Sequence, residues 1–97
     1  MYDYQETYKQ HVLVSYGWQP SEKKDGVKFE VFVYRDDDFN FNPTSDPAFV
    51  VKTFLSGPRK AVLGNQEVQS EKDQKRDELI IRTKQKIDRN DFTDESY

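Results

Sequence analysis

The stretch from Arg35 to Pro47, RDDDFNFNPTSDP, sets side-chain oxygens at every second position: Asp36, Asp38, Asn40, Asn42, Thr44 and Asp46. Hard cations such as calcium take about six to eight oxygens, so the raw material of a cation site is present. An EF-hand is excluded all the same. Counted from Asp36, its glycine and bidentate-glutamate positions fall on Phe41 and Pro47. The same stretch interleaves Phe39 and Phe41 with its acids, and that is a different chemistry. Carboxylates steer a basic partner, and an aromatic ring beside them supplies a desolvated anchor. Asp36, Asp37, Asp38, Phe39, Phe41 and Asp46 are therefore the candidate partner-binding residues. The bland reading is a solvated turn, since Asp and Asn bond to nearby backbone while Pro43 and Pro47 stay out of β-ladders.

Other chemistries find little to work with. The chain has no cysteine, which removes disulfides, thiolate metal sites and cysteine nucleophiles and suits a reducing compartment. His11 is the single histidine and sits among strand-forming residues, so a paired acid/base system or histidine zinc site cannot be assembled. No Gly-x-Ser-x-Gly elbow is present, and Gly17, Gly26, Gly57 and Gly64 do not form a phosphate-cradling loop. The abundant carboxylates lie in polar runs, where nothing apolar raises a pKa for general-acid work. Lys72, Lys75, Arg76, Arg82 and Lys86 could line a nucleic-acid-binding side of a helix, with aromatic residues elsewhere stacking on single-stranded bases. Glu71, Asp73, Asp77 and Glu78 interleave with them, which favours an ion-paired solvent face.

One resemblance is carried by residues 26–55, GVKFEVFVYRDDDFNFNPTSDPAFVVKTFL. A strand leading into an Asp-bearing loop, then Ser-Asp-Pro, then an aromatic-rich strand resembles the opening of a C2 domain. KIDRNDFTDE, residues 86–95, is similar to that family's second acidic loop. The resemblance implies Asp38, Asp46, Asp88 and Asp94 as calcium ligands and a membrane surface as partner. The family's Asn-Pro-x-Trp-Asn region has no counterpart here, so the C2-like module stays the alternative reading.

These residues must be positioned by a small set of elements. Ninety-seven residues make one domain with a thin core, filled largely by seven Phe, six Tyr and one Trp. Val12, Val14, Tyr16 and Trp18 alternate, predicting a strand near 10–17; Tyr4, Tyr8, Val12 and Tyr16 also recur every fourth position, which leaves a short helix over the first ten residues as the alternative start. Val27, Phe29, Val31 and Val33 alternate with Lys28, Glu30, Phe32 and Tyr34, predicting the best strand, whose second face turns aromatic toward its end. The two strands form an antiparallel hairpin. Residues 45–58 carry helix start and stop signals but strand-forming content, which favours a strand. Residues 60–64 read as a short return strand. Ser70 with Asp73 suggests a helix start, with Glu71–Lys75 and Glu78–Arg82 as supporting pairs and Leu79, Ile80, Thr83 and Ile87 as the core stripe.

The expected fold is α+β: a small antiparallel sheet of three to four strands with a C-terminal helix. An all-β sandwich, with residues 78–87 as a strand, is the alternative. Residues 1–97 form a single domain, and 89–97, with Arg89 against Asp88, Asp91, Asp94 and Glu95 around it, read as a frayed acidic tail. No membrane span or signal peptide is visible, so the expected location is cytoplasmic. The expected function is a non-enzymatic protein-interaction module, a small accessory or inhibitor protein that docks a basic surface through the acidic-aromatic loop and needs no cofactor. A calcium-dependent C2-like module and a single-stranded nucleic-acid binder are the alternatives. Tyr2, Tyr4 and Tyr8, or an exposed strand edge, could also make a homo-oligomer.

Overall fold

The alternation that marks residues 27–34 becomes the longest strand of the sheet. The computed structural model describes residues 2–22, 25–41, 46–56 and 66–95. In chain order the elements are β1 (Tyr4–Tyr8), β2 (His11–Ser15), β3 (Trp18–Pro20), β4 (Gly26–Arg35), α1 (Asp36–Phe41), β5 (Phe49–Ser56) and α2 (Gln66–Asp88). All strand pairs are antiparallel: β1 with β2, β2 and β3 with β4, and β4 with β5.

β2 and β3 lie along the same edge of β4 as one interrupted strand. Val14 faces Phe32 and Trp18 faces Phe29, so four steps on one side match three on the other. The extra residue is a bulge at Tyr16–Gly17, where Gly17 takes φ +87°. In space the sheet is thus a meander: β1, then β2/β3, then β4, then β5. The α+β expectation holds, and the sandwich alternative fails because residues 78–87 lie inside α2.

Face assignment follows the period of two. Leu13, Phe29, Val31, Val33, Phe49 and Val51 point to one face, where Leu79 and Ile87 of α2 complete a fully enclosed cluster. Thr83 is buried between them and returns its hydroxyl to the Leu79 carbonyl at 2.7 Å. Ile80 is only half-buried and Ile81 is exposed, so the core stripe is Leu79, Thr83 and Ile87.

Several local expectations are corrected. The first residues form a strand rather than a helix, because Lys9 and Gln10 both adopt positive φ and fold Tyr4–Tyr8 back onto His11–Ser15. The opening stretch begins as α1 rather than a loop; Asp36, Asp37 and Asp38 occupy its first turn, where carboxylates complement the helix dipole. Ser70 is not a cap, since α2 begins at Gln66. The proposed helix pairs are replaced by other contacts: Arg76 meets Asp73 and Asp77, Lys75 reaches the Phe54 carbonyl, and Arg82 binds Glu95. The strand expected at 60–64 lies outside the described residues.

The tail is docked rather than frayed over residues 91–95. Glu95 bridges Val51 in parallel, its amide donating to the Val50 carbonyl at 2.9 Å, while the Val50 amide donates to Asp94 Oδ1 at 2.9 Å. Lys86, only 5 % exposed, holds Asp91 and Glu95, and Phe92 packs on Phe49. Val50 therefore turns both backbone groups outward, and Lys52 and Phe54 follow by alternation. Their carbonyls accept from Arg82 at 3.3 Å and Lys75 at 3.4 Å. The outer carbonyls of Val50, Lys52 and Phe54 are thus engaged.

Candidate functional site

The even-numbered residues of β4 face away from α2, and at its C-terminal half they are Phe32 and Tyr34. Their cross-strand partners Val14 and Val12 share that face and are fully buried, so this side carries an apolar layer of its own. α1 folds back over it and sets Phe39 half-buried, its ring 5.6 Å from Tyr34 and 6.2 Å from Tyr2. Tyr2 lies 5.2 Å from Tyr16, which meets Phe32 edge-on at 6.0 Å. Phe32, Tyr16, Tyr2, Phe39 and Tyr34 form a continuous chain of five rings. Tyr16, lifted by the bulge, is 52 % exposed.

Carboxylates stand at the margin of these rings. Asp3 packs against the backbone of Gly17, and a side chain there would press on it. Burial, the Tyr16 hydroxyl and the Asp46 carboxylate, in that order, push the Tyr34 hydroxyl up, so it remains a neutral donor. The Tyr2 hydroxyl is raised chiefly by burial and then by Tyr16. On the other half of the same face the charges are paired: Glu30 sits between Lys28 at 3.0 Å and Lys52 at 3.7 Å. An aromatic, acid-rimmed half therefore adjoins a charge-paired half.

Each expected partner-binding residue can now be placed. Phe39 belongs to the ring chain. Asp37 is exposed with Arg35 at 4.0 Å, and Asp46 is exposed near Tyr34. Asp36 is half-buried at the start of α1, where its amide bonds the Gln10 carbonyl at 2.9 Å. The side chains of Asp38 and Phe41 lie outside the described residues. Tyr16, Phe32 and Tyr34 were not among the expected binders, and Tyr2 was expected only in self-association. The signal for Phe32 and Tyr34 was the aromatic turn of the second face of the best strand, which is legible in the alternation but points nowhere until Phe39 folds back onto it.

Of the candidate calcium ligands, the side chain of Asp38 lies outside the described residues, and Asp46, Asp88 and Asp94 do not form a cluster. Asp88 is held by Lys9 and Tyr8, which keep its carboxyl below the usual range, Lys9 contributing most. Asp94 caps the Val50 amide on the sheet edge. Among the described residues no three His, Asp or Glu side chains stand close enough to hold a metal ion. The basic residues that could have met nucleic acid are spent inside the chain. Lys72 is buried with its ammonium 5.9 Å from the Trp18 ring, Lys75 and Arg82 cap β5, Lys86 holds the tail, and Arg76 meets two aspartates.

A separate open cleft of about 570 Å³ lies where the β1–β2 turn, the β4–α1 junction and the tail meet, lined by Gln10, His11, Arg35, Asp36, Asp37, Ala48 and Phe92. His11 packs on Phe92 at 5.3 Å, and its Nδ1 lies 2.9 Å from the Lys9 carbonyl. A carbonyl can only accept, so Nδ1 carries the hydrogen and Nε2 is left as an acceptor in the neutral ring. Among the described residues the lining offers no hydroxyl, thiol or amine nucleophile for His11 to activate. Among the described residues no helix is long and apolar enough to cross a membrane. Comparison with protein-family models, curated proteins and solved structures returned no match.

Proposed function

We propose that this protein is a non-enzymatic interaction module that docks a basic protein surface on the ring chain of Phe32, Tyr16, Tyr2, Phe39 and Tyr34. The observation that supports this reading is the presence of five linked rings on the sheet face opposite α2, with Tyr16 projecting. Aromatic side chains bring large contact area at little entropic cost, and buried aromatic anchors dominate interface energetics. The acids of α1 and Asp46 supply the steering charge that a basic partner answers. The size fits an accessory or inhibitor protein that works by occupying another surface, in a reducing compartment such as the cytoplasm.

The test uses two variant sets as baits beside the wild type: Tyr16→Ala with Phe39→Ala, and Asp36→Asn with Asp37→Asn and Asp46→Asn. Circular dichroism checks that each bait is folded, and quantitative mass spectrometry compares what each retains. The expected result is one basic protein bound directly by the wild type and lost from both sets, with association slowing as salt rises. An identical set of retained proteins across all three folded baits would refute the reading.

A further inference from the structure

Among the described residues the edge opposite β5 is free of such covers. The two-residue Lys9–Gln10 turn makes Tyr8 and His11 a hydrogen-bonded pair, so Tyr4, Glu6 and Tyr8 spend their backbone groups on β2. Gln5 and Thr7 consequently aim their amides and carbonyls outward, and among the described residues nothing receives them. An extended strand is what such an edge accepts. The residues around Glu6 say which strand fits.

Asp3-Tyr4-Gln5-Glu6-Thr7-Tyr8-Lys9 is self-complementary about Glu6. Laid antiparallel on a second copy with Glu6 opposite Glu6, Gln5 meets Thr7 of that copy in hydrogen-bonded pairs. Roughly four new backbone bonds result. Tyr4 faces Tyr8 across the junction twice, and aromatic cross-strand pairs are favourable. Asp3 lies toward Lys9 at both ends, so unlike rather than like charges meet there, with Lys9 still held by Asp88 of its own chain. The two Glu6 carboxylates at the centre are each already neutralised by Lys84 of their own chain, which lowers their pKa most, with Tyr4 second. Sliding the strands by two residues either way loses this fit. One slip calls on Asp3, whose amide is spent on the Ser15 carbonyl at 2.8 Å, and the other on Lys9, which lies in the turn.

We infer that the β1 edge is a homodimer interface, in which two copies pair β1 antiparallel in the register centred on Glu6. The sheets join into one, both α2 helices lie on the same side, and the two ring chains lie side by side on the other. This site is distinct from the ring chain, so either can fail without the other.

Sedimentation velocity from about 10 μM to about 1 mM tests it. The expected wild-type result is a concentration-dependent dimer. Thr7→Pro removes one outward amide and leaves the β1–β2 ladder intact, so it is expected to weaken dimerisation about 100-fold or more at an unchanged circular dichroism spectrum. If proline disturbs the strand, Gln5→Lys with Thr7→Lys places like charges across the junction instead. Because the chain has no cysteine, Glu6→Cys reports the register: opposed residues of a non-hydrogen-bonded pair lie about 4.5 Å apart at Cα, within disulfide reach. Glu6→Cys is expected to cross-link fully on oxidation and Gln5→Cys poorly. A wild type that stays monomeric to about 1 mM would overturn the proposal and leave the edge to an extended segment of another protein. So would a dimer that both edge variants form as well as the wild type.

Discussion

β5 and β1 are both outer strands of one sheet, yet they meet their surroundings on opposite terms. β5 buries Phe49, Val51 and Leu55 beneath α2, three of its outer carbonyls accept from Lys75, Arg82 and Glu95, and the tail runs beside it. β1 alternates half-buried and exposed residues, and its links to the helix are long side chains: Glu6 to Lys84, Tyr8 and Lys9 to Asp88. A sealed edge is how a β-protein avoids unwanted pairing. Where one edge is sealed by three separate devices and the other by none among the described residues, the unsealed edge is the more informative one. The enclosed core cluster lies between β4, β5 and α2, and both proposed contact surfaces lie on the β1/α1 side.

The largest effect that would sharpen this contrast is a cavity. Leu79→Ala, under α2, is expected to lower the free energy of unfolding in urea by about 3 kcal/mol, whereas Tyr16→Ala on the ring chain is expected to lower it by about 1 kcal/mol or less. Equal losses would break the comparison. Next comes the tail. Deleting residues 91–97 strips Lys86 of Asp91, Thr93 and Glu95 and Phe49 of Phe92, for an expected loss of about 2–3 kcal/mol, and it speeds amide exchange in β5 while leaving β1 unchanged. Exchange that rises equally in both strands would mean the tail does not seal an edge. Smaller and opposite in sign, Gln10→Gly relieves a non-glycine residue at φ +67° and is expected to add about 1 kcal/mol, read as a melting point raised by about 4–8 °C.

The smallest effect is in pH. Glu6 is lowered chiefly by Lys84, Asp88 chiefly by Lys9 and Asp91 chiefly by Thr93. Each therefore binds a proton more weakly in the folded chain than in the unfolded one. Their stabilisation is complete above the ordinary carboxylate range, about pH 4–5, and is lost as pH falls through the lowered values. The melting point is expected to be flat from about pH 7 to 5 and to drop below about pH 4. Added salt at pH 7 should erode the exposed Lys9–Asp88 pair and leave the enclosed Lys86 contacts largely unaffected.

Much of the architecture was legible in local pattern. The alternation of Val27, Phe29, Val31 and Val33 and the spacing of Leu79, Thr83 and Ile87 report burial directly, because each repeats the period of its own element. The N-terminal strand was not legible: Lys9 and Gln10 are poor residues for two successive left-handed turns, and the tyrosine spacing suits a helix equally well. Three consecutive aspartates are a fair signal for the first turn of α1, but Asn42 and Pro43 behind them read as loop. The docked tail depends on Lys86 and Val50, which no local pattern connects to Glu95. The ring chain sits between these cases, with its strand members visible in the alternation and its assembly set by α1.

The pairing of the chain's two ends has a kinetic consequence. The strands pair in sequence order, so their contacts close short loops and form early in folding. Tyr8 and Asp88, by contrast, lie 80 residues apart in sequence, and the tail reaches back 44 residues to Val50. Contacts across such spans belong to the last events of folding and the first of unfolding. The clasp between the β1–β2 turn and the end of α2 therefore acts as a brake on opening: weakening it should speed unfolding and leave the rate of folding almost untouched.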